Sequence, residues 1–106
     1  MYERRQLRRR HLCGRLPSGS LPVDIDYLDQ YAVVAALDGP DPTLGAPVYI
    51  LENDQVVSTV MPKEDLGLQN FQHNHDAVLT KVGGRYYLIV QSWNPGDFAI
   101  LEQVLD

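Results

Sequence analysis

The sequence has little cysteine and no long apolar segment. Its single cysteine, Cys13, excludes an intrachain disulfide among the 106 residues and is compatible with a reducing compartment. The longest purely apolar run, Tyr31 to Leu37, is far shorter than the roughly 20 residues that a membrane-spanning helix needs. The N-terminus also lacks the apolar stretch of a secretory signal. These absences predict a cytoplasmic protein that has no membrane partner.

Motifs that carry common chemistry are missing too. The chain has no glycine-rich phosphate loop, no recognisable pair of catalytic carboxylates and no dense metal-ligand motif. Its content of 44% apolar and 22% charged residues is ordinary for a folded domain, which argues against wholesale disorder. We therefore expect a non-catalytic domain that needs no cofactor.

Positive charge is scarce outside the N-terminus. Residues 1–15 hold six arginines and one glutamate, a net charge of +5, whereas the rest of the chain holds three basic and thirteen acidic residues, a net charge of −10. This asymmetry predicts a basic arm and linker over residues 1–22 and one acidic domain over residues 23–106. Nucleic acid could be contacted only through residues 1–15, by guanidinium groups that bind phosphates. The candidates for that alternative are Arg4, Arg5, Arg8, Arg9 and Arg10.

A helix is predicted after the linker. Ile25, Leu28, Ala32 and Ala35 recur at offsets of three, seven and ten residues, which places them on one helical stripe. Gly39 and Pro40 then supply a stop signal, and an aspartate precedes the stripe as a cap. A buried strand over Tyr31 to Leu37 is the competing interpretation, because period alone does not assign a short apolar run.

The second half of the chain has the pattern of strands. Val48 to Leu51 and Val56 to Met61 flank a turn-forming cluster, and Ala77 to Val82 and Arg85 to Trp93 flank Gly83-Gly84. The glycine turn predicts a register in which opposing residue numbers sum to 167. Phe98 to Leu105 is compatible with a strand or a helix, and the strand is favoured. The predicted fold class is α+β, a small antiparallel sheet of four to five strands with one principal helix on one face.

Four potential metal ligands fall in two pairs, each with one residue between its members. Two such pairs in extended chain could supply a tetrahedral zinc site rich in nitrogen. The alternative interpretation is that one pair belongs to a solvated basic arm and the other pair to a polar loop. We favour this alternative, in which these residues form no metal site. The residues concerned are His11, Cys13, His73 and His75.

A second alternative uses Cys13 as a nucleophile and His75 as its base. The runs His75 to Leu79 and Gln91 to Trp93 resemble the histidine hairpin and the asparagine-serine-tryptophan stretch of papain-like cysteine peptidases. The resemblance covers about twenty residues and implies a small thiol hydrolase using Cys13, His75 and Gln91. In that family the cysteine opens a long helix, whereas glycine and proline follow Cys13 here. The predicted register puts His75 opposite Ser92, so that Gln91 points away from His75 unless a bulge intervenes.

Exposed aromatic residues on a sheet are good interface anchors, and we select Tyr87, Trp93 and Phe71 as binding residues. The sequence as a whole predicts a non-catalytic protein-interaction or regulatory module. It would recognise another protein through an acidic sheet face or through residues 63–75. A thiol- or metal-dependent hydrolase and nucleic-acid contact through the arm are the alternatives.

Overall fold

A computed structural model describes residues 16–93 and 96–103 of the protein. Its strands form two antiparallel sheets, one with the order β1-β2-β3-β4 and one with the order β5-β6-β7. In chain order the elements are β1 (Leu21–Leu28), β2 (Tyr31–Asp38), β3 (Val48–Glu52), β4 (Gln55–Val60), α1 (Pro62–Leu66), β5 (Asn74–Val82), β6 (Arg85–Ser92) and β7 (Phe98–Glu102). The described residues therefore form two packed sheets, and the predicted α+β class is wrong.

The predicted principal helix is a β-hairpin. β1 and β2 pair from Leu28 opposite Tyr31 onward, and Asp29 in the turn between them adopts a φ of 54°. β2 is buried on both faces, with Val33 facing the other sheet and Val34 facing away from it. A strand buried on both faces has a continuous apolar sequence, and the apparent helical stripe combines two residues of this run with two residues of β1.

The two hairpins predicted in the second half of the chain are present. β3 and β4 join through Asn53 and Asp54, whose φ angles of 53° and 64° suit a tight hairpin turn. β5 and β6 join through Gly83 and Gly84, with positive φ angles of 60° and 77°. The register of β5 and β6 follows the predicted sum from Val82 to Asp76. β7 confirms a strand over Phe98–Glu102, and α1 is a short helix of five residues that begins at Pro62.

The sandwich has two apolar clusters because the central strand β2 is buried on both sides. The cluster between the sheets contains Val33, Ala35, Val48, Phe71, Ala77, Leu79, Leu88 and Val90. The cluster on the opposite face of the four-stranded sheet contains Leu16, Ile25, Ala32, Val34, Ala36, Tyr49 and Leu51. Leu16 thus packs with the strands, and among the described residues that precede β1 it belongs to the core.

Candidate functional site

The two sheets are joined along one side, which we call the closed seam, where β5 packs against β1 and β2. Two aspartates of β1 reach across it. Asp24 Oδ2 accepts a hydrogen bond from the Ala77 amide at 3.3 Å, and Asp26 Oδ2 accepts one from the Leu79 amide at 3.0 Å. These bonds satisfy two amides at the edge of β5, so that edge is not free to pair with another strand.

The carboxyl group of Asp24 also faces Asp76 on β5. Partial burial, and then the hydrogen bond and repulsion between these two acids, raise the pKa of Asp24 above its ordinary value, although the Ala77 amide acts in the opposite direction. Asp24 therefore joins β1 to β5 across the closed seam, although Asp76 beside it makes the charged form of Asp24 less favourable.

On the opposite side, which we call the open seam, the sheets separate and leave a cleft of about 460 Å³. This volume lies within the range of about 300–1,000 Å³ typical of ligand sites. Strands of both sheets supply the walls, and the lining is mainly apolar. The principal wall residues are Ile50, Val57, Val60, Leu79, Leu88 and Leu101.

Aromatic and charged contacts fix one end of the cleft. The rings of Tyr31 and Tyr86 meet edge to face with centroids 5.2 Å apart, and both residues line the cleft. The Tyr86 hydroxyl donates to Asp29 at 2.7 Å, and the Lys81 ammonium group lies 3.3 Å from the same carboxylate. The Tyr86 bond and then the Lys81 bond lower the pKa of Asp29, and the bond to Asp29 raises the pKa of Tyr86. These contacts fix the Tyr86 ring at one end of the cleft, where it forms part of the lining.

The edge of β7 lies beside the cleft. The Gln103 amide donates to the Tyr86 carbonyl and the Ser92 amide donates to the Asp97 carbonyl, which establishes that odd-numbered residues of β7 bond to β6. The amides and carbonyls of Ile100 and Glu102 consequently point away from β6. Among the described residues, no strand pairs with β7 on that side.

Exposed apolar residues surround this edge. Phe98 and Ile100 of β7 are 67% and 61% exposed, and Val57 across the cleft is 54% exposed. Arg85 Nη1 donates a hydrogen bond to Glu102 Oε1 at 2.6 Å, and this carboxylate raises the pKa of the Arg85 guanidinium group. The open seam therefore combines a free backbone edge with uncovered apolar surface, which marks interaction sites in soluble proteins.

The predicted metal ligands are not brought together in the described part of the chain. His73 Nδ1 lies 2.9 Å from both Asp38 Oδ1 and the Leu37 carbonyl, so this imidazole joins the residue that precedes β5 to the end of β2. His75 is exposed. Within residues 16–93 and 96–103, no group of three or more histidine, cysteine, aspartate or glutamate residues could hold a metal ion. His11 and Cys13 lie outside the described residues.

The register near His75 differs from the expectation. A bulge between Asn74 and Asp76 places Asn74, not His75, opposite Ser92, because β5 carries one extra residue there. Gln91 stays opposite Asp76 and is exposed. The Asn74 side chain is fully buried and donates to the carbonyls of Ala46 and Pro47, both at 3.0 Å. The residue that meets Ser92 thus has a structural role, and Cys13, the proposed nucleophile, lies outside the described residues.

The predicted binding residues lie in three different environments. Phe71 is 1% exposed and packs between the sheets, so it cannot contribute to a surface. Trp93 is 51% exposed beside the His73 ring at the end of β6. Tyr87 is half-buried on the outer face of the three-stranded sheet, near Glu102. None of the three lines the cleft. The arginines proposed to contact nucleic acid lie outside the described residues.

The sequence did contain one signal for the open seam. The run from Phe98 to Leu101 is entirely apolar, as expected of a strand covered on both faces, yet β7 is an edge strand with exposed residues. Val57 and Leu66 had no such signal, because their role depends on how the two sheets diverge.

Comparisons with protein-family models, curated proteins and solved structures found no match to this chain. Within the described ranges, no helix has the length and apolar content required to cross a lipid bilayer.

Proposed function

We propose that this protein is a non-catalytic protein-interaction module whose binding site is the cleft of the open seam. The observation that carries the proposal is the cleft itself, an apolar cavity of about 460 Å³ between two sheets. Val57 and Leu66 on its border are 54% and 50% exposed. Exposed apolar surface is costly in water, at about 25 cal/mol per Å², and a partner that covers it gains this free energy.

The chemistry of the lining supports binding rather than catalysis. The described residues that line the cleft include no histidine, cysteine or lysine. Glu102, the acidic residue of the lining, is already paired with Arg85, and the described lining holds no histidine that could activate the Ser58 hydroxyl. Acyl or phosphoryl transfer needs a nucleophile with a base, or an electrophilic group, in contact with the substrate. A surface that contributes apolar contacts with a few polar groups at its border suits recognition.

Charge favours a basic partner. Residues 16–106 carry three basic and thirteen acidic side chains, for a net charge of −10. Two of the three basic groups, Lys81 and Arg85, are paired with carboxylates. The potential around the domain therefore attracts cationic proteins and accelerates their association at low ionic strength.

The test replaces exposed apolar residues at the border of the cleft. We expect Val57→Asp and Leu66→Asp to lower affinity for a bound partner at least about tenfold, since each places an unpaired charge where apolar surface is buried. Val82→Asp is the matched control, because Val82 is 63% exposed and does not line the cleft. The partner is taken from an extract of the source organism with the wild-type protein, purified, and titrated against each variant by calorimetry.

The pattern among variants decides the result. Loss of binding in the two cleft variants with retention in Val82→Asp supports the proposal. Equal affinity of all four proteins for the purified partner, or the lack of any partner that binds the wild type, would contradict it.

A further inference from the structure

We propose that the occupant of the open seam is an extended segment of a partner protein, which pairs with β7 as a fourth strand of the three-stranded sheet. This inference rests on the proposed function and specifies how the partner is recognised. The segment would take backbone hydrogen bonds from β7 and place alternate side chains in the cleft, as in other cases of strand addition.

A comparison of how the edge strands are protected indicates that β7 is the strand to which the segment pairs. Soluble proteins protect edge strands with bulges, charges or a covering element. The edge of β5 is satisfied by Asp24 and Asp26. β4 has an irregular register at Val57, where an extra residue interrupts regular pairing. β7 pairs with β6 without a register shift from Phe98 to Glu102. The remaining edge, β1, has two register shifts near its start and packs against β5. Of these four edges, β7 is the one that a regular strand can extend.

The direction of the free backbone groups also fits. The amide and carbonyl of Ile100 and the amide of Glu102 point away from β6, as the register of β6 and β7 requires. These groups occupy alternate residues, which is the spacing that an antiparallel or parallel partner strand uses. A paired segment would therefore run alongside residues 98–102.

The geometry of the two sheets explains the cleft. The four-stranded sheet faces a sheet of three strands, so β3 and β4 are left partly uncovered beside β7. A strand added to β7 would project every second side chain toward Val57 and Val60. The remaining side chains would extend the outer face next to Phe98 and Ile100, which are the most exposed apolar residues of that strand. One added strand would thus cover apolar surface on both faces of β7.

These features define the chemistry of the segment. Its inward positions are medium-sized apolar residues such as valine or isoleucine, which suit both a strand and the cleft. Its flanks are basic, because residues 16–106 carry a net charge of −10. A second copy of this chain is a poorer occupant, because each full chain still carries a net charge of −5 and two copies therefore repel each other.

The probe for the test is a synthetic peptide in which valine and threonine alternate, with a pair of lysines at each end. We expect it to bind the full chain with a Kd below about 1 mM. Ile100→Pro should weaken binding at least about tenfold, because proline removes an amide that donates to the added strand. Ile100→Thr retains this amide and should bind within about threefold of the wild type. A peptide of the same composition with its valines grouped together should bind less than a tenth as tightly, since they no longer share one face.

Three outcomes would overturn the inference. These are no binding of the alternating peptide, equal binding to Ile100→Pro, and a concentration-dependent dimer of the wild type that is lost in Ile100→Pro, which would identify a second copy as the occupant. Failure here is distinct from failure of the proposed function. If Val57→Asp abolishes binding of the purified partner and Ile100→Pro does not, the cleft is the site but strand addition is wrong.

Discussion

At the scale of single residues, the contact between Asp24 and Asp76 predicts how stability depends on pH. The pKa of Asp24 is raised in the folded protein, so the native state binds this proton more tightly than the unfolded chain does. The contribution of Asp24 to stability is therefore present below its ordinary pKa and is lost as the pH rises through the raised value. Asp24→Asn removes the charge but keeps an oxygen that can accept from the Ala77 amide.

We expect Asp24→Asn to raise the midpoint of urea unfolding at neutral pH and to leave it little changed in acid. Asp41→Asn is the control, and we expect it to lower the midpoint at neutral pH. The Thr43 hydroxyl and amide favour the charged form of Asp41 and thereby lower its pKa. That contribution is present above the ordinary pKa of Asp41 and is lost as the pH falls through the lowered value. Midpoints measured from pH 3 to pH 7 would contradict this account if both variants changed them in the same direction.

Asn74 provides a second prediction. Its side chain donates to the carbonyls of Ala46 and Pro47 in the interior, and these carbonyls would lose that donor in Asn74→Ala. We expect a loss of about 1–3 kcal/mol in the free energy of unfolding. Gln91→Ala, an exposed change on the neighbouring strand, should alter it by no more than about 0.5 kcal/mol. Similar losses in the two variants would argue against the structural role of Asn74.

At the scale of elements, the direction of the β7 amides predicts an unequal response to proline. Ile100→Pro removes an amide that points away from β6, whereas Leu101→Pro removes one that bonds to β6 and disturbs an inward side chain. We expect Leu101→Pro to be at least about 2 kcal/mol less stable than Ile100→Pro, as measured by chemical denaturation. Equal losses would mean that the assigned register of β6 and β7 is wrong.

The elements differ in how far their sequences predict them. Gly83-Gly84 defines a hairpin, since both positions require positive φ, and that turn gives the register correctly from Val82 to Asp76. The segment from Asp24 to Leu37 is wrongly predicted as a helix, because its aspartates and apolar residues also fit a capped helix. The aspartates instead face β5, and that contact becomes visible only when a segment some fifty residues later in the chain is placed. The bulge at His75 is a further local departure that no turn signal predicts.

At the scale of the whole molecule, the candidate site depends on the relation between the sheets. The apolar run of β7 could be read from the sequence, but Val57 and Leu66 become part of a cleft only because the sheets meet at β1 and β5 and diverge at β4 and β7. The aromatic residues selected from the sequence, Tyr87, Trp93 and Phe71, do not line the cleft, because their positions also depend on how the two sheets pack. Phe71, for example, is enclosed by the packing of the two sheets.

The three-stranded sheet has one edge whose amides bond to aspartates and, among the described residues, one edge to which no strand is paired. Amide hydrogen exchange of the unbound protein, followed by NMR, tests both edges in one measurement. The account predicts slow exchange of the Ala77 and Leu79 amides, which donate to Asp24 and Asp26, and rapid exchange of the Ile100 and Glu102 amides. Equal protection at the two edges, or slower exchange at Ile100 than at Ala77, would contradict it.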